Sequence, residues 1–236
     1  MLEQSIRTLC RTVFLSALLY PVVAAADDCP EHVTVEAWAD AVDTDQQVRD
    51  RFLSMLERCL PGNSAMQEEI DYLAVMSFEA LGALPAEHQP ALADLAVRTL
   101  RANAQAGFAS SQHNYAAAHN ARPGSLVAQV VPQDHATFIH WTRKAASQKE
   151  PRSLFNLAVR LAAEPPPPGI ASDLATAYVI LTFLETTPDL GIPPAFVEHV
   201  RKLRQDVSKQ LGPARVKALS ESSAAFDFSS LASATK

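Results

Sequence analysis

Glycine is scarce in this chain of 236 residues, which contains 7 glycines against 16 prolines. An all-β protein needs glycine in its many tight turns, where the backbone takes a positive φ angle. Sustained alternation of apolar and polar residues, which indicates strands, is also absent from the sequence. Alanine, leucine, arginine and glutamine are common instead, and these residues lose little conformational freedom in a helix. The sequence therefore predicts an all-α protein.

Charge is sparse too, because Asp, Glu, Lys and Arg make up only 19% of the residues. The formal net charge is −6, and there is no basic stripe to attract the phosphates of a nucleic acid. We therefore predict no nucleic-acid partner. Two short charged turns are predicted to be solvated faces: Glu68, Glu69 and Asp71, and Arg201, Lys202 and Arg204.

The usual signatures of catalytic and metal sites are missing. The chain has no HExxH motif, no Cys/His cluster, no P-loop and no Gly-x-Ser-x-Gly nucleophile motif. His135 and His140 are five residues apart and His113 and His119 are six apart, so neither pair shares one face of a helix. The sequence therefore indicates no catalytic residue, no metal and no cofactor.

Residues 1–26 have the pattern of a cleavable signal peptide. Arg7 and Arg11 precede the apolar run of Val13–Val23, and Ala24–Ala26 supply the small residues of a cleavage site after Ala26. The alternative is an uncleaved membrane anchor, but a run of roughly ten apolar residues is short for crossing a bilayer. The prediction is a periplasmic or secreted protein with no membrane contact after cleavage.

The cysteines agree with export. Cys10 would leave with the signal peptide, so Cys29 and Cys59 would remain in an oxidising compartment. We predict a Cys29–Cys59 disulfide, with two unpaired thiols as the alternative. A redox-active site is not indicated, because the chain has no Cys-x-x-Cys motif.

Apolar residues at spacings of three and four predict about nine helices after the signal peptide. Short connections that contain proline or glycine join them, so consecutive helices should pack as antiparallel neighbours. The first predicted boundaries are a helix capped by Asp43 or Thr44 and ending near Leu60, a helix with a Ser64–Gln67 capping box ending near Leu84, and a helix over Ala91–Ala106 ended by Gly107.

Part of the sequence repeats. Residues 109–115 align with residues 151–157 at an offset of 42, and Asp134 aligns with Asp173 at an offset of 39. A longer loop between the two helices of the first copy accounts for the change of offset. Helix pairs that recur at this period predict an α/α superhelical repeat array, in which neighbouring pairs stack.

The repeated pattern resembles the Sel1-like repeats, bacterial relatives of the tetratricopeptide repeats. The match covers residues 93–228, including a closing helix pair, and the chain has alanine at both positions where the motif has glycine in its first helix. Residues 27–92 form an N-terminal helical region of compatible helix pairs, and residues 229–236 are predicted to be a frayed tail. The motif positions are Tyr115, Ala116, Asp134, Trp141, Lys144, Ala145, Ala146, Leu157, Ala158, Asp173 and Ala177.

Several of these residues have an expected physical role. The alanines allow close approach of helices, and Trp141 fills the space between repeats. Asp134, which follows Pro132, is predicted to accept hydrogen bonds from the first N–H groups of its helix.

The resemblance implies an exported adaptor or scaffold that binds a protein or peptide in the bacterial cell envelope without catalysis. Its alternative is a cell-envelope enzyme, since Cys-rich Sel1-like proteins have been linked to penicillin binding and β-lactam hydrolysis. Those proteins carry a disulfide in each repeat, whereas this chain would keep two cysteines after cleavage, both outside the clear repeats. A purely structural module is the third possibility.

Overall fold

The structure is a computed structural model that describes residues 29–34, 37–38, 41, 46–83, 86, 89–188 and 190–233. Three predictions lie outside these residues: the signal peptide over residues 1–26, the helix caps Asp43 and Thr44, and the last three residues of the tail.

Helices make up the regular structure of the described residues, which contain no strand, so the all-α prediction is confirmed. Proline opens three of the helices, at the first position where its missing N–H has no helical partner. The helices are α1 Gln46–Cys59, α2 Ser64–Ala80, α3 Gln89–Gln105, α4 Ala109–His119, α5 Leu126–Val130, α6 His135–Ser147, α7 Pro151–Leu161, α8 Leu174–Thr186, α9 Pro194–Leu211 and α10 Pro213–Ser222. Short 3-10 helices cover Leu81–Ala83, Ser223–Ala225 and Phe228–Ala232.

The helices pack mainly on their neighbours along the chain, as expected for an array of helix pairs. One core cluster joins α1, α2 and α3 with the segment before α1 and with Tyr115 of α4. A second cluster joins α4, α6, α7, α8 and α9 with the C-terminal 3-10 helix. Trp141 packs against both clusters. The short helix α5 packs in a third, small cluster with α3 and with Leu81, the first residue of the 3-10 helix that follows α2.

Hydrogen bonds repeat along the array at the offsets seen in the sequence. In each of two successive pairs, an aspartate closes the loop by donating its N–H to the last carbonyl of the first helix of the pair. It then caps its own helix by accepting a backbone N–H and a threonine hydroxyl. The loop-closing bonds are Asp134 N–His119 O at 3.1 Å and Asp173 N–Leu161 O at 2.9 Å. The backbone cap bonds are Thr137 N–Asp134 Oδ1 at 3.1 Å and Thr176 N–Asp173 Oδ1 at 3.0 Å. The hydroxyl bonds, Thr137 Oγ1–Asp134 Oδ2 and Thr176 Oγ1–Asp173 Oδ2, are both 2.6 Å. The cap predicted for Asp134 is confirmed.

The ends of α3 and α6 also repeat, at an offset of 42. Gly107 follows α3 with a φ of 103°, and Lys149 follows α6 with a φ of 65°. The next residue in each case donates its N–H back into the helix, to Asn103 O at 3.2 Å and to Ala145 O at 3.1 Å. The predicted end of the helix at Gly107 is confirmed, and Lys149 takes the same backbone role without being glycine.

The start of α2 differs from the predicted capping box. Asn63 is the cap, since its side-chain oxygen accepts the Met66 N–H at 3.1 Å. Gln67 is buried and its amide donates to Leu60 O at 3.0 Å and Ala106 O at 3.4 Å, so it joins helices instead of closing a box. The predicted Ser64–Gln67 capping box was wrong, because the helix begins at Ser64 and Asn63, an equally good capping residue, is its cap.

The Cys29–Cys59 disulfide is present, with the two Cα atoms 5.4 Å apart. It ties the segment before α1 to the end of α1, across a sequence separation of 30 residues. Glu69 on α2 holds the same segment by accepting the Val33 N–H at 3.0 Å and contacting His32 Nδ1 at 2.6 Å. The Val33 N–H, followed by His32, lowers the pKa of the Glu69 carboxyl group.

The C-terminal segment differs from the predicted frayed tail. Phe228–Ala232 form a 3-10 helix that packs on α6, and Phe228 and Leu231 are buried. The Phe228 ring lies 4.6 Å from the Phe183 ring on α8. The two apolar residues, three apart in a Ser- and Ala-rich segment, are enough to dock it because the array offers them an apolar surface.

The basic turn on α9 is not a simple solvated face. Arg201 Nε donates to Glu185 Oε1 at 3.2 Å, and Arg204 Nε donates to Glu185 Oε2 at 2.5 Å. One carboxylate on α8 therefore holds two turns of α9, while Lys202 stays exposed.

Candidate functional site

The predicted motif residues fall into two groups in the structure. Seven are buried between helices, which is the packing role expected of them: Tyr115, Ala116, Ala145, Ala146, Leu157, Ala158 and Ala177. Asp134 and Asp173 are exposed helix caps. Trp141 is half-buried, with the Lys144 ammonium 4.6 Å from its ring centre and the Tyr115 ring at 5.8 Å. These residues build the array and do not converge on a reaction centre.

A polar network joins the first helices of successive pairs. Asp71 on α2 accepts hydrogen bonds from Ser110 Oγ at 2.7 Å, Ser111 Oγ at 2.7 Å and Asn114 Nδ2 at 3.0 Å, all on α4. Asp71 is half-buried, so the prediction of a solvated acidic turn was wrong for this residue. Its carboxylate anchors α2 to α4.

Arg152 extends the network to α7. Its guanidinium donates to Ser110 Oγ at 3.2 Å and Asn114 Oδ1 at 3.4 Å, and to Glu150 Oε1 at 2.9 Å. Hydrogen bonds therefore hold α2, α4 and α7 side by side, and each of these helices has one side turned to solvent.

The outward sides of these three helices form a surface that we call the first-helix face. On α4 and α7 its positions again recur at an offset of 42. The large apolar side chains exposed among the described residues all belong to α2 and α7: Tyr72 (64% exposed), Met76 (41%) and Val159 (40%). The first-helix face comprises Tyr72, Met76, Ser110, Asn114, Ala117, Arg152, Asn156 and Val159.

A buried cluster of His113, Ser153 and Glu150 lies beneath this face. His113 Nδ1 is 2.8 Å from Ser153 Oγ and 3.5 Å from Glu150 Oε2, and Glu150 Oε2 accepts the Ser153 N–H at 2.6 Å. Burial lowers the pKa of His113 to about 4, against the opposing effect of the Glu150 charge.

This cluster contains the residue types of a hydrolase triad but not its geometry. The carboxylate and the hydroxyl meet the same nitrogen of His113, whereas a triad uses the two ring nitrogens for the two partners. Ser153 is 0% exposed, so no substrate reaches its oxygen. The cluster fastens α4 to α7 and has no access for a reaction.

Three further histidines of the described residues have structural contacts as well. His135 Nε2 lies 2.7 Å from Pro168 O, the His119 Nδ1 lies 3.2 Å from Pro132 O, and His140 contacts the Trp141 ring edge-on at 5.1 Å. No group of three or more His, Cys, Asp or Glu side chains suited to a metal is found in the described part of the chain.

Among the described residues, none of the helices combines the length and the apolar character needed to cross a membrane.

A cavity of about 410 Å³ lies between α6, α7, the start of α8 and the C-terminal segment. Its polar lining includes Arg143, which is 8% exposed. Among the described residues, the buried Arg143 Nε has no hydrogen-bond partner, and none of the ion pairs involves Arg143. Burial lowers the pKa of its guanidinium. The lining residues are Arg143, Leu157, Leu161, Ala171, Asp173, Thr176, Phe226, Ser230, Leu231 and Ser233.

Sequence reasoning did not find Arg143, although one signal was available. Ile139, Arg143 and Ala146 are spaced by four and three residues, so they share one face of α6, and Ile139 and Ala146 are apolar. An arginine on the buried side of a helix is unusual and indicates either a partner or a site.

Over the residues that the structure describes, the fold and these sites define a class of protein, a helical array of stacked helix pairs that contains a buried arginine whose Nε has no hydrogen-bond partner. Comparison with protein-family models, with curated proteins and with solved structures found no match. The likeness to Sel1-like repeats therefore depends on the sequence motif alone.

Proposed function

We propose that this chain is an exported, non-catalytic scaffold of Sel1-like type that binds a protein or peptide partner on the first-helix face. The observation that carries the proposal is the exposure of Tyr72, Met76 and Val159 on helices that are held side by side. Tyr72 and Met76 are four residues apart on α2, so they lie on one side of that helix. Exposed aromatic and methionine side chains are enriched at protein interfaces.

The composition of the face fits a peptide or protein partner better than a small molecule. Arg152 and Asn114 have donors and acceptors near the surface, and their geometry is already set by hydrogen bonds within the chain. Groups held in place lose little conformational freedom on binding. Apolar side chains at α2 and α7 with a polar strip on α4 give the mixed surface common at such interfaces.

A photo-crosslinking experiment tests this function. A photoreactive phenylalanine analogue at Tyr72 should capture a partner in intact cells. The same analogue at Gln205, an exposed residue of α9, serves as the matched control. Capture at position 72 that decreases with a Met76→Ser change supports the face. Equal capture at both positions, or capture at position 205 alone, contradicts it.

Location in the bacterial cell envelope is part of the same proposal. The signal-like residues 1–26 and the Cys29–Cys59 disulfide support it, because structural disulfides persist in oxidising compartments. Cell fractionation followed by N-terminal sequencing should recover a chain that begins at Asp27 in the periplasm or the medium. Recovery of the full-length chain in the cytoplasm contradicts this part.

The enzyme alternative has less support. Ser153 lies near both a histidine and a carboxylate, but it is fully buried. A fluorescent penicillin should therefore give no covalent adduct with the folded chain. An adduct that disappears with Ser153→Ala would favour the enzyme instead.

A further inference from the structure

We propose that the cavity beside Arg143 binds a small monocarboxylate that carries an apolar group, present either as a free molecule or as the terminal residue of a peptide. This site is separate from the first-helix face, since none of the residues of that face lines the cavity. The inference does not depend on the proposed scaffold function.

The first argument is the state of the arginine. Arg143 is 8% exposed and its Nε has no hydrogen-bond partner. A guanidinium stays charged in proteins, so it cannot avoid the cost of burial by releasing a proton. Arg204 and Arg152 of the same chain have carboxylate partners, at 2.5 Å and 2.9 Å. Arg143 has no such partner among the described residues, and a ligand carboxylate would supply the missing one.

The second argument concerns the charge of the ligand. The cavity is also lined by Asp173, whose two oxygens accept from Thr176 N at 3.0 Å and Thr176 Oγ1 at 2.6 Å. This carboxylate is held in place as the cap of α8, so it stays near the bound anion. A singly charged anion on Arg143 experiences limited repulsion from Asp173, whereas a phosphate dianion experiences more. A carboxylate also matches the planar fork of the guanidinium with two parallel hydrogen bonds.

The third argument concerns the remainder of the ligand. Leu157 and Leu161 of α7 line one part of the cavity, and Phe226 and Leu231 of the C-terminal segment line another. A volume of about 410 Å³ lies within the range of small-molecule sites. An apolar group on the carboxylate would cover these side chains and remove them from water. The site therefore suits a short aliphatic or aromatic acid better than acetate.

Titrations of the full chain test the proposal. The probes are phenylacetate as a free acid, N-acetyl-leucine as a terminal residue, N-acetyl-leucinamide as its uncharged counterpart, and inorganic phosphate. Calorimetry measures affinity, and the NMR signal of the Arg143 Nε–H group reports contact with the arginine. At least one of the two carboxylates should bind and shift that signal. The affinity of the amide probe and of phosphate should be lower by about tenfold or more. The tighter of the two carboxylates identifies the source of the ligand.

Three variants complete the experiment. Arg143→Gln should weaken carboxylate binding by about tenfold or more, because the glutamine side chain is uncharged and forms weaker hydrogen bonds with a carboxylate. Arg160→Gln is the matched control, since Arg160 is on the neighbouring helix and stacks on Phe138 at 4.3 Å without lining the cavity. Ala171 is an exposed residue of the cavity lining, so Ala171→Trp adds volume there and should block binding with Arg143 intact, even if Arg143→Gln does not fold.

Four results would each overturn the proposal. They are no binding by either carboxylate, equal binding of the amide, tighter binding of phosphate than of both carboxylates, and an affinity that neither Arg143→Gln nor Ala171→Trp changes. Loss of partner capture at Tyr72 has no bearing on this site, so the two proposals fail separately.

Discussion

Gly107 and Lys149 occupy the same place in successive helix pairs, yet their side chains differ completely. Both have a positive φ, of 103° and 65°. Glycine takes this backbone shape without strain, whereas a residue with a Cβ atom loses roughly 1–2 kcal/mol. The Lys149 ammonium lies 5.7 Å from the Phe183 ring centre and 5.6 Å from that of Phe228, and such cation–π contacts offset part of the strain.

Replacement of Gly107 by alanine should lower the free energy of unfolding by about 1–2 kcal/mol. The cause is backbone strain alone, since a Cβ atom at Gly107 would meet nothing within 4 Å. Gly82→Ala is the control, because Gly82 lacks a positive φ and its Cβ would lie 3.7 Å from Leu126 Cδ1, an ordinary contact. That change should be neutral or add about 0.5 kcal/mol. Urea unfolding followed by circular dichroism measures both, and equal effects would contradict the argument.

His113 should make stability depend on pH between about 4 and 6.5. Its pKa is about 4 in the folded chain and near 6.5 when unfolded, so the unfolded chain takes up the proton first as the pH falls. The stabilisation is complete above pH 6.5 and is lost as the pH falls to 4, by up to about 3 kcal/mol.

Urea unfolding at several pH values checks this prediction. His113→Gln should flatten the stability curve between pH 6.5 and 4, while His199→Gln, at an exposed site, should leave the slope unchanged. The carboxyl groups with lowered pKa, including Asp134 and Asp227, lose their contribution at more acidic pH. An unaltered slope in His113→Gln would show that another group is responsible.

Local pattern predicted the capping aspartate and the packed alanines, but it did not predict the environment of Arg143. Asp134 acts within four residues of itself, so its role can be read from the sequence. The cavity beside Arg143 is lined partly by Phe226 and Leu231, which are more than 80 positions away in the sequence. The spacing of residues near Arg143 in the sequence gives no information about these distant residues.

At the scale of the element, the aspartate caps of α6 and α8 make the two helix pairs equivalent. Each aspartate binds a backbone N–H and a threonine hydroxyl with nearly identical distances. The repeat in the sequence therefore corresponds to a repeat in hydrogen bonding. The prediction for α2 failed because Asn63 and Ser64 are both good caps, and only the path of the chain decides between them.

Asp134→Ala and Asp173→Ala should each lower the free energy of unfolding by about 1 kcal/mol, since each removes one helix cap. The two effects should add in the double variant, because the caps share no partner. Asp134→Asn and Asp173→Asn are the controls and should retain most of the stability, as asparagine also caps well. Thermal unfolding of the set provides the measurement. A loss at one position only would show that the two pairs are not equivalent.

At the scale of the whole molecule, Trp141 connects the two main core clusters. In an array, each unit is stabilised by its own contacts and by the contacts with its neighbours. Removal of the Trp141 side chain should therefore weaken the contact between the two clusters more than it weakens the packing inside either cluster.

Trp141→Ala should lose about 3–5 kcal/mol of stability and separate the unfolding of the two clusters. Trp38 is the other tryptophan of the chain and belongs to the N-terminal cluster, so its fluorescence reports that cluster alone in the variant. In this variant, the denaturation midpoint measured by Trp38 fluorescence should differ from the midpoint measured by circular dichroism, which reports all helices. Trp141→Phe keeps most of the volume and should unfold in one transition. Coincident midpoints in Trp141→Ala would contradict this role.

The hydrogen bond that closes each helix pair has a consequence for the evolution and design of such chains. Asp134 N–H binds His119 O and Asp173 N–H binds Leu161 O, although the loop in the first pair is three residues longer. The first loop uses its extra length to form the short helix α5. Because α5 packs on α3, the part of the loop that is open to insertion is its exposed turn at residues 122–124. A grafted recognition loop or affinity tag at this turn should leave the stacking of the array intact.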